Sequence, residues 1–281
     1  MTTGALIFAH NNQLVDYTKL AVFSAYRIRK HLGIPVSLAT DNVAYLNKKF
    51  PKHPFDQVIE VPVEQSGART FYDGSLTGRQ SEWLNTTRYK TYDITPYDRT
   101  LLIDSDYVVN TPRLKLALER DSEFQLFKDS IDLCSWRGMS WTRRINSYSI
   151  PFYWATVVIF DKTPINESFF DLISYIKQNW QYFRVLYGIE YAAFRNDFAF
   201  SIAIHIMNGK TNGGFASHLP WSMAFTTDRD LLLEVKQDSM KFLVEKNDYL
   251  GEYTVASVND LDVHIMNKQS LLRFIDGGYG V

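Results

Sequence analysis

Between Thr100 and Asn110 the chain reads TLLIDSDYVVN: an apolar run typical of a buried strand, two aspartates one residue apart, then a second apolar run. Such flanks place the aspartates at the rim of a core, where an ionised carboxylate without a partner is costly. Two carboxylates this close raise each other's pKa or push the chain apart unless something positive lies between them. The stretch therefore demands a fold that delivers Asp104 and Asp106 to the open end of a buried strand, facing a cation.

The residues before it predict such a fold. Ala5 to Ala9 is a short apolar run that stops at His10-Asn11-Asn12, and Leu14 to Leu32 keeps helical spacing up to Gly33. Pro35 to Ala39 and Gln57 to Val61 read as further strands. Strand, helix, strand in this order points to an α/β chain with a mostly parallel, Rossmann-like sheet flanked by helices. Residues 62–82 hold three glycines and no sustained period, which predicts an ordered or closing loop. Trp83 to Ile94 is expected to be helical, 129–150 loop-like, and Tyr153 to Phe160 a strand. Helices are expected near 165–180 and 195–208, and a short strand at Leu261 to Met266. With no repeat or break in composition, one domain over 1–281 with a C-terminal extension is expected, its nucleotide-binding part at about 1–110 and its acceptor side at about 111–281.

Composition narrows the partners. Thirty basic against thirty-one acidic residues leave a net charge of -1, so no global field draws the protein to nucleic acid or an anionic membrane, and polyanion binding must be local. The single cysteine, Cys134, fits a reducing compartment and reads as a small buried thiol. MTTGALIFAHNN has no basic n-region and too short an apolar run for a signal or spanning segment, so a cytoplasmic chain is expected.

In an α/β sheet, ligands collect at the carboxyl ends of the strands. On an extended chain Asp104 and Asp106 would point to one side, with Ser105 opposite. Mg²⁺ or Mn²⁺ held by one or two carboxylates plus substrate phosphates would relieve their repulsion. Asp-Ser-Asp is also an ordinary turn or cap sequence, but a plain turn does not need LLI before it and YVV after it.

The stretch Pro96-Tyr97-Asp98-Arg99-Thr100-Leu101-Leu102-Ile103-Asp104-Ser105-Asp106-Tyr107-Val108-Val109 resembles the D-x-D signature of GT-A glycosyltransferases, above all the family-8-like branch that uses nucleotide-diphosphate sugars. Arg88, in Thr87-Arg88-Tyr89, stands where that branch carries an arginine near the nucleotide. YWATVVI at 153–159 resembles its F-N-[ST]-G-V-[ML]-[LV] strand without the asparagine and glycine, and FRNDFAF at 194–200 takes the place of its N-x-x-D-Q element. ITPYD, FRNDFAFSIAIHIMNG and VHIMNK together are similar to glycosyltransferase-like proteins of tailed bacteriophages, which would place the chain in a host cytoplasm.

The resemblance implies a GT-A fold and a metal-dependent hexosyl- or pentosyltransferase. Mn²⁺ or Mg²⁺ would be held by Asp104, Asp106 and His264, with Asp104, Arg88 and Lys268 beside the diphosphate of a UDP-sugar donor. Neutral imidazole is a competent Mn²⁺ ligand and a lysine can reach a diphosphate oxygen; the bland alternative for His264 is a half-buried strand histidine. His205, inside an apolar helix, reads as a packed core residue. The base and ribose would lie across His10, Asn11 and Asp41, since an aspartate can accept from ribose hydroxyls or a uracil N–H. Asp197 is the leading carboxylate for a base or a sugar-hydroxyl ligand, in competition with a helix-capping role.

For the acceptor, Trp136, Arg137, Trp141, Arg143 and Arg144 combine aromatic faces with cations. The mixture suits nucleic acid, and the phage resemblance favours DNA with a hydroxylated base, extruded from the duplex. A glycan or small-molecule acceptor, or a solvated surface loop, fits the same residues. A nucleotidyltransferase would show a Gly-rich phosphate loop after the first strand, and HNNQLVDY has no glycine. A non-catalytic sugar-nucleotide-binding protein of the same fold is the remaining alternative.

Overall fold

The computed structural model describes residues 1–64, 67–134, 137, 142–146, 148–211, 213–236, 239–246 and 251–277. The chain opens with β1 (Thr3–Phe8), α1 (Tyr17–Leu32), β2 (Val36–Thr40), α2 (Val43–Lys49) and β3 (Gln57–Glu60). α1 has both of its sequence signals: Asp16 accepts from the Lys19 N–H at 2.9 Å, and Gly33 ends the helix at φ 69°. A hairpin, β4 (Ala68–Tyr72) and β5 (Gly78–Glu82), leads through a 3-10 turn at Arg88–Lys90 and α3 (Thr91–Ile94) to β6 (Arg99–Ile103) and β7 (Tyr107–Val108). Next come α4 (Arg113–Leu118), β8 (Phe124–Phe127), β9 (Ser130–Asp132), β10 (Trp154–Asp161), α5 (Pro164–Gln178), α6 (Trp180–Leu186) and α7 (Asn196–Met207). The remainder is β11 (Ser217–His218), β12 (Met223–Thr226), β13 (Leu231–Val235), β14 (Ser239–Glu245), β15 (Tyr253–Asn259), β16 (Val263–Ile265) and α8 (Lys268–Asp276).

The main sheet has seven strands in the order β11-β8-β10-β6-β1-β2-β3, with β10 antiparallel to its neighbours and every other pairing parallel. The α/β architecture expected from the sequence is thus present. β6 and β10 are buried along their whole length, which is why both read as continuous apolar runs rather than alternating ones. From β1 the chain steps outward to β2 and β3, then returns to place β6 on the other side of β1. The gap between the carboxyl ends of β1 and β6 is therefore the topological switch point, where open α/β sheets bind ligands. A second sheet, in the order β7-β16-β12-β9, abuts that end, and β13-β14-β15 form a separate meander.

Several expectations are corrected. Within the ordered or closing loop expected over 62–82, residues 68–82 form a hairpin, and its tip is tied to distant chain: Arg273 donates to Asp73 at 2.6 and 2.8 Å, and Ser75 N–H donates to the Tyr253 hydroxyl at 2.9 Å. Helical turns begin only at Arg88 rather than Trp83; Thr86 and Thr87 are buried in irregular chain before it, and β-branched residues are poor helix formers. The helix near 165–180 breaks at Asn179 into α5 and α6. Part of 129–150 is strand β9, and residues 223–259 carry four strands. Among the described residues no helix is long and apolar enough to cross a membrane.

Two packing details generate predictions. A Cβ on Gly4 would lie 2.3 Å from the ring of Tyr97, which is buried with its hydroxyl 2.8 Å from Ser37 Oγ. Gly4→Ala is expected to cost about 1–3 kcal/mol of stability by overpacking. A denaturant-unfolding double-mutant cycle with Tyr97→Ala should show coupling of similar size; additive effects would clear the ring of blame. Glu64 pins the segment after β3 to the turn that carries Arg88: it pairs with Lys90 at 2.8 Å, contacts Lys177 on α5, and accepts from the Tyr89 hydroxyl. Burial raises the Glu64 carboxyl, but hydrogen bonds from Lys177, Lys90 and Tyr89 outweigh it and hold it at about 2, from an ordinary 4.5. A depressed carboxyl stabilises the fold above its unfolded pKa and loses that contribution as pH falls through the folded value. The stability gap between wild type and Glu64→Gln should therefore be flat above about pH 5 and close between about pH 4.5 and 2; a gap independent of pH would show that the ion pairs contribute nothing.

Candidate functional site

β6 hands its last buried residue, Ile103, to Val157 of β10, and there the ladder opens. Asp104 N–H still donates to Thr156 O at 2.9 Å, but Tyr107 N–H folds back onto Asp104 O at 3.1 Å. Asp104-Ser105-Asp106-Tyr107 is thus a tight turn, not the extended segment expected, and the turn makes the two carboxylates converge. β7 then pairs antiparallel with β16, matching Tyr107 to His264, and Ile265 N–H donates to Asp106 O at 2.9 Å. This pairing carries His264 to the aspartates from the far end of the sequence. One ligand atom from each of Asp104, Asp106 and His264 lies within 4.8 Å of the others.

Cations surround the trio. Lys268, the first residue of α8, places Nζ 2.7 Å from Asp106 Oδ2, and His264 Nε2 lies 3.4 Å from the same oxygen. The guanidinium of Arg88 is in contact with Asp104 Oδ1 and also donates to Ala155 O. Burial tends to raise the Asp106 carboxyl, but Lys268 and His264 overcome it and hold it far below the usual carboxylate range. Burial lowers the Arg88 guanidinium to about 10, against the pull of Asp197 and Asp106, so it remains charged at neutral pH. Two oxygen donors and an imidazole form a hard-to-borderline set that fits Mn²⁺ or Mg²⁺. Among the described residues His264 Nδ1 is buried without a hydrogen-bond partner, and Nε2 faces Asp106.

The other expected residues divide. His10 is buried and bridges, with Nδ1 2.8 Å from Asp41 Oδ1 and Nε2 3.3 Å from Thr87 Oγ1. It therefore joins Asp41, the candidate base and ribose contact, to the residue preceding Arg88. The Asn11 side-chain oxygen is engaged by the N–H and hydroxyl of Thr18 and shapes the entry into α1. A cleft of about 420 Å³ lies beside this turn, lined by Asn11, Asp16, Tyr45 and Arg273 among others, and none of the trio lines it. Asp197 is the second residue of α7, not its cap; the cap is Arg195. Its carboxylate accepts from Ala155 N–H and from Arg195, each at 2.9 Å. His205 lies on α7, its ring 5.9 Å from that of Tyr187, away from the trio.

The described acceptor residues divide between core and surface. Arg137 is buried, donating to Asp132 at 2.8 Å and to Asp230 at 2.8 and 2.7 Å, so its expected role as a polyanion contact is overturned: both carboxylates already hold it. Arg143 and Arg144 are exposed. Trp136 and Trp141 lie outside the described residues. Conversely, the sequence reading passed over Thr87, Arg195 and Asn267. Asn267 accepts from Ser270 N–H at 2.9 Å and so starts the helix that places Lys268; the spacing N-K-Q-S was a readable cap signal.

No family model and no curated protein matches the chain. Solved structures similar to it include the glycosyltransferase GlyE of Streptococcus pneumoniae TIGR4, at 12% identity over 78% of this chain and 46% of that one, with a TM-score of 0.44. The galactosyltransferase LgtC in complex with donor and acceptor sugar analogues is similar at 14% identity over 76% of this chain and 72% of that one, with a TM-score of 0.46. The bifunctional IspDF of Campylobacter jejuni is similar at 12% identity over 79% and 50%, with a TM-score of 0.44. The chain spans under half the length of GlyE. Likenesses this faint add no weight to any one reaction, and the functional reading rests on the residues themselves.

Proposed function

We propose that the protein is a metal-dependent glycosyltransferase that moves a sugar from a nucleotide-diphosphate sugar to a hydroxyl acceptor. One observation carries the reading: Asp104, Asp106 and His264 converge at the switch point of a mostly parallel sheet, flanked by the buried cations Arg88 and Lys268. Carboxylates that could hold a divalent ion, beside cations that could hold phosphate oxygens, suit a diphosphate leaving group. Bound by the trio, Mn²⁺ or Mg²⁺ would supply Lewis-acid stabilisation of the departing diphosphate.

The chain's own groups take the remaining roles. Arg88 and Lys268 donate to the phosphates and stabilise charge as the glycosidic bond to the diphosphate breaks. Asp41, oriented by His10, accepts from the base or ribose, and uracil is the base whose N–H suits it. Asp197 faces the sugar and acceptor side as a hydroxyl ligand or base, held in place by Ala155 N–H and Arg195. The nucleotide part spans about 1–110, completed by His264 and Lys268 from the C-terminal part. The exposed Arg143 and Arg144 favour an anionic acceptor, such as DNA carrying a hydroxylated base.

The test is release of nucleoside diphosphate from a panel of nucleotide sugars with Mn²⁺ or Mg²⁺, with and without DNA. Metal-dependent release from one donor is expected, and no release from any donor would leave a sugar-nucleotide-binding protein instead. Asp106→Asn should reduce release by about 10²–10³-fold with unchanged circular dichroism; full activity in this variant would remove the metal assignment. If the acceptor is DNA, replacing Arg143 and Arg144 by Ala should flatten the salt dependence of acceptor use. An unchanged salt dependence would point to a glycan or small molecule.

A further inference from the structure

Lys268 and the trio share the Asp106 carboxylate. Asp106 Oδ2 accepts from Lys268 Nζ at 2.7 Å and faces His264 Nε2 at 3.4 Å, so a carboxylate of the candidate metal site is already paired with an ammonium. Lys268 is 6% exposed, and its other contact is the carbonyl of Met266 at 3.2 Å. Among the described residues Asp106 is its sole acidic partner. Its helix start is fixed as well: Asn267 caps α8 and donates to Asp73 Oδ1 at 3.2 Å, so the backbone of Lys268 cannot retreat when its head group is displaced. Arg88 repeats the arrangement on the other side, buried against Asp104. Two carboxylates are thus matched by a guanidinium and an ammonium in a largely buried cluster.

A divalent ion arriving alone must compete with Lys268 for Asp106 and leave that buried ammonium with the Met266 carbonyl but no anionic partner, which is costly. A diphosphate arriving with the ion removes the cost, because its oxygens accept the charge-assisted hydrogen bonds that the aspartate gives up. We propose that Lys268 competes with the divalent ion for Asp106 and thereby couples metal binding to nucleoside diphosphate binding, each ligand tightening the other. The inference rests on the donor-site reading above and adds to it a regulation of metal entry. A residue that only bound phosphate would leave the affinity for the ion alone untouched; Lys268 lowers it. The coupling is reciprocal by thermodynamic necessity.

The experiment measures binding, not turnover. Mn²⁺ affinity of the full chain is read by electron paramagnetic resonance of unbound Mn²⁺, with and without saturating UDP, and UDP affinity by calorimetry with and without Mn²⁺. In wild type, UDP should tighten Mn²⁺ by about 10-fold or more, within the ~5–150-fold span of ordinary site coupling, and Mn²⁺ should tighten UDP by the same factor. In Lys268→Met, which keeps the buried stem and removes the charge, Mn²⁺ alone should bind more tightly than to wild type, and the enhancement by UDP should shrink. Mn²⁺ affinity in Lys268→Met equal to or weaker than wild type would overturn the proposal. So would a wild-type coupling factor near 1, a measurement that needs no variant to fold. If wild type binds no Mn²⁺ with or without UDP, the metal-centre reading itself fails and the inference falls with it. Mn²⁺ binding without coupling sinks the inference alone.

Discussion

Asp106 is 4% exposed, and its carboxylate stays ionised because Lys268 and His264 reach it from the opposite end of the chain. That contact requires β7 to pair with β16, and the pairing in turn requires the chain to turn sharply at Asp104. A carboxylate placed at this depth without those partners would be expensive enough to protonate or to open the sheet end. The C-terminal segment is therefore part of the sheet-end site and not an appendage to it. β12 lies beside β16 and carries the support on to β9, so strands from three regions of sequence are aligned by one local charge requirement.

On the other side, the backbone of a single residue links the remaining charged groups. Ala155 donates its N–H to Asp197 and accepts from Arg88 through its carbonyl, while the neighbouring Thr156 carbonyl takes the N–H of Asp104. Ala155 lies where the register of β10 against β8 slips between Trp154 and Val158. Irregularities of this kind re-aim chain at sheet ends and beside active sites. Here the N–H and the carbonyl of one residue meet side chains of opposite charge. Asp104, Arg88 and Asp197 are consequently held in a fixed row rather than on independent loops.

What the sequence made legible follows from the range of the forces involved. β1, α1, β2, β3, β6 and β10 are set by local apolar runs and by caps such as Asp16 and Gly33, and these lie close to where periodicity placed them. Asp104 and Asp106 stood out because their flanks were apolar, although the tight turn that aims them was not visible. Arg137 shows why the remainder was hidden. Beside two tryptophans it reads as a ligand for polyanions, yet one of its carboxylate partners, Asp230, is 93 residues away in sequence. The hairpin tip likewise depends on Arg273 and Tyr253, some two hundred residues downstream. Long-range ion pairs leave no period in the chain.

The central claim is that Asp104, Asp106 and His264 hold a divalent ion beside a diphosphate. The most direct measurement is anomalous diffraction from crystals grown with Mn²⁺ and UDP. An anomalous peak bounded by these three side chains, with UDP phosphate oxygens beside Arg88 and Lys268, is the predicted result. Bound UDP with no anomalous density at the trio, or a Mn²⁺ peak elsewhere on the molecule, would contradict the account.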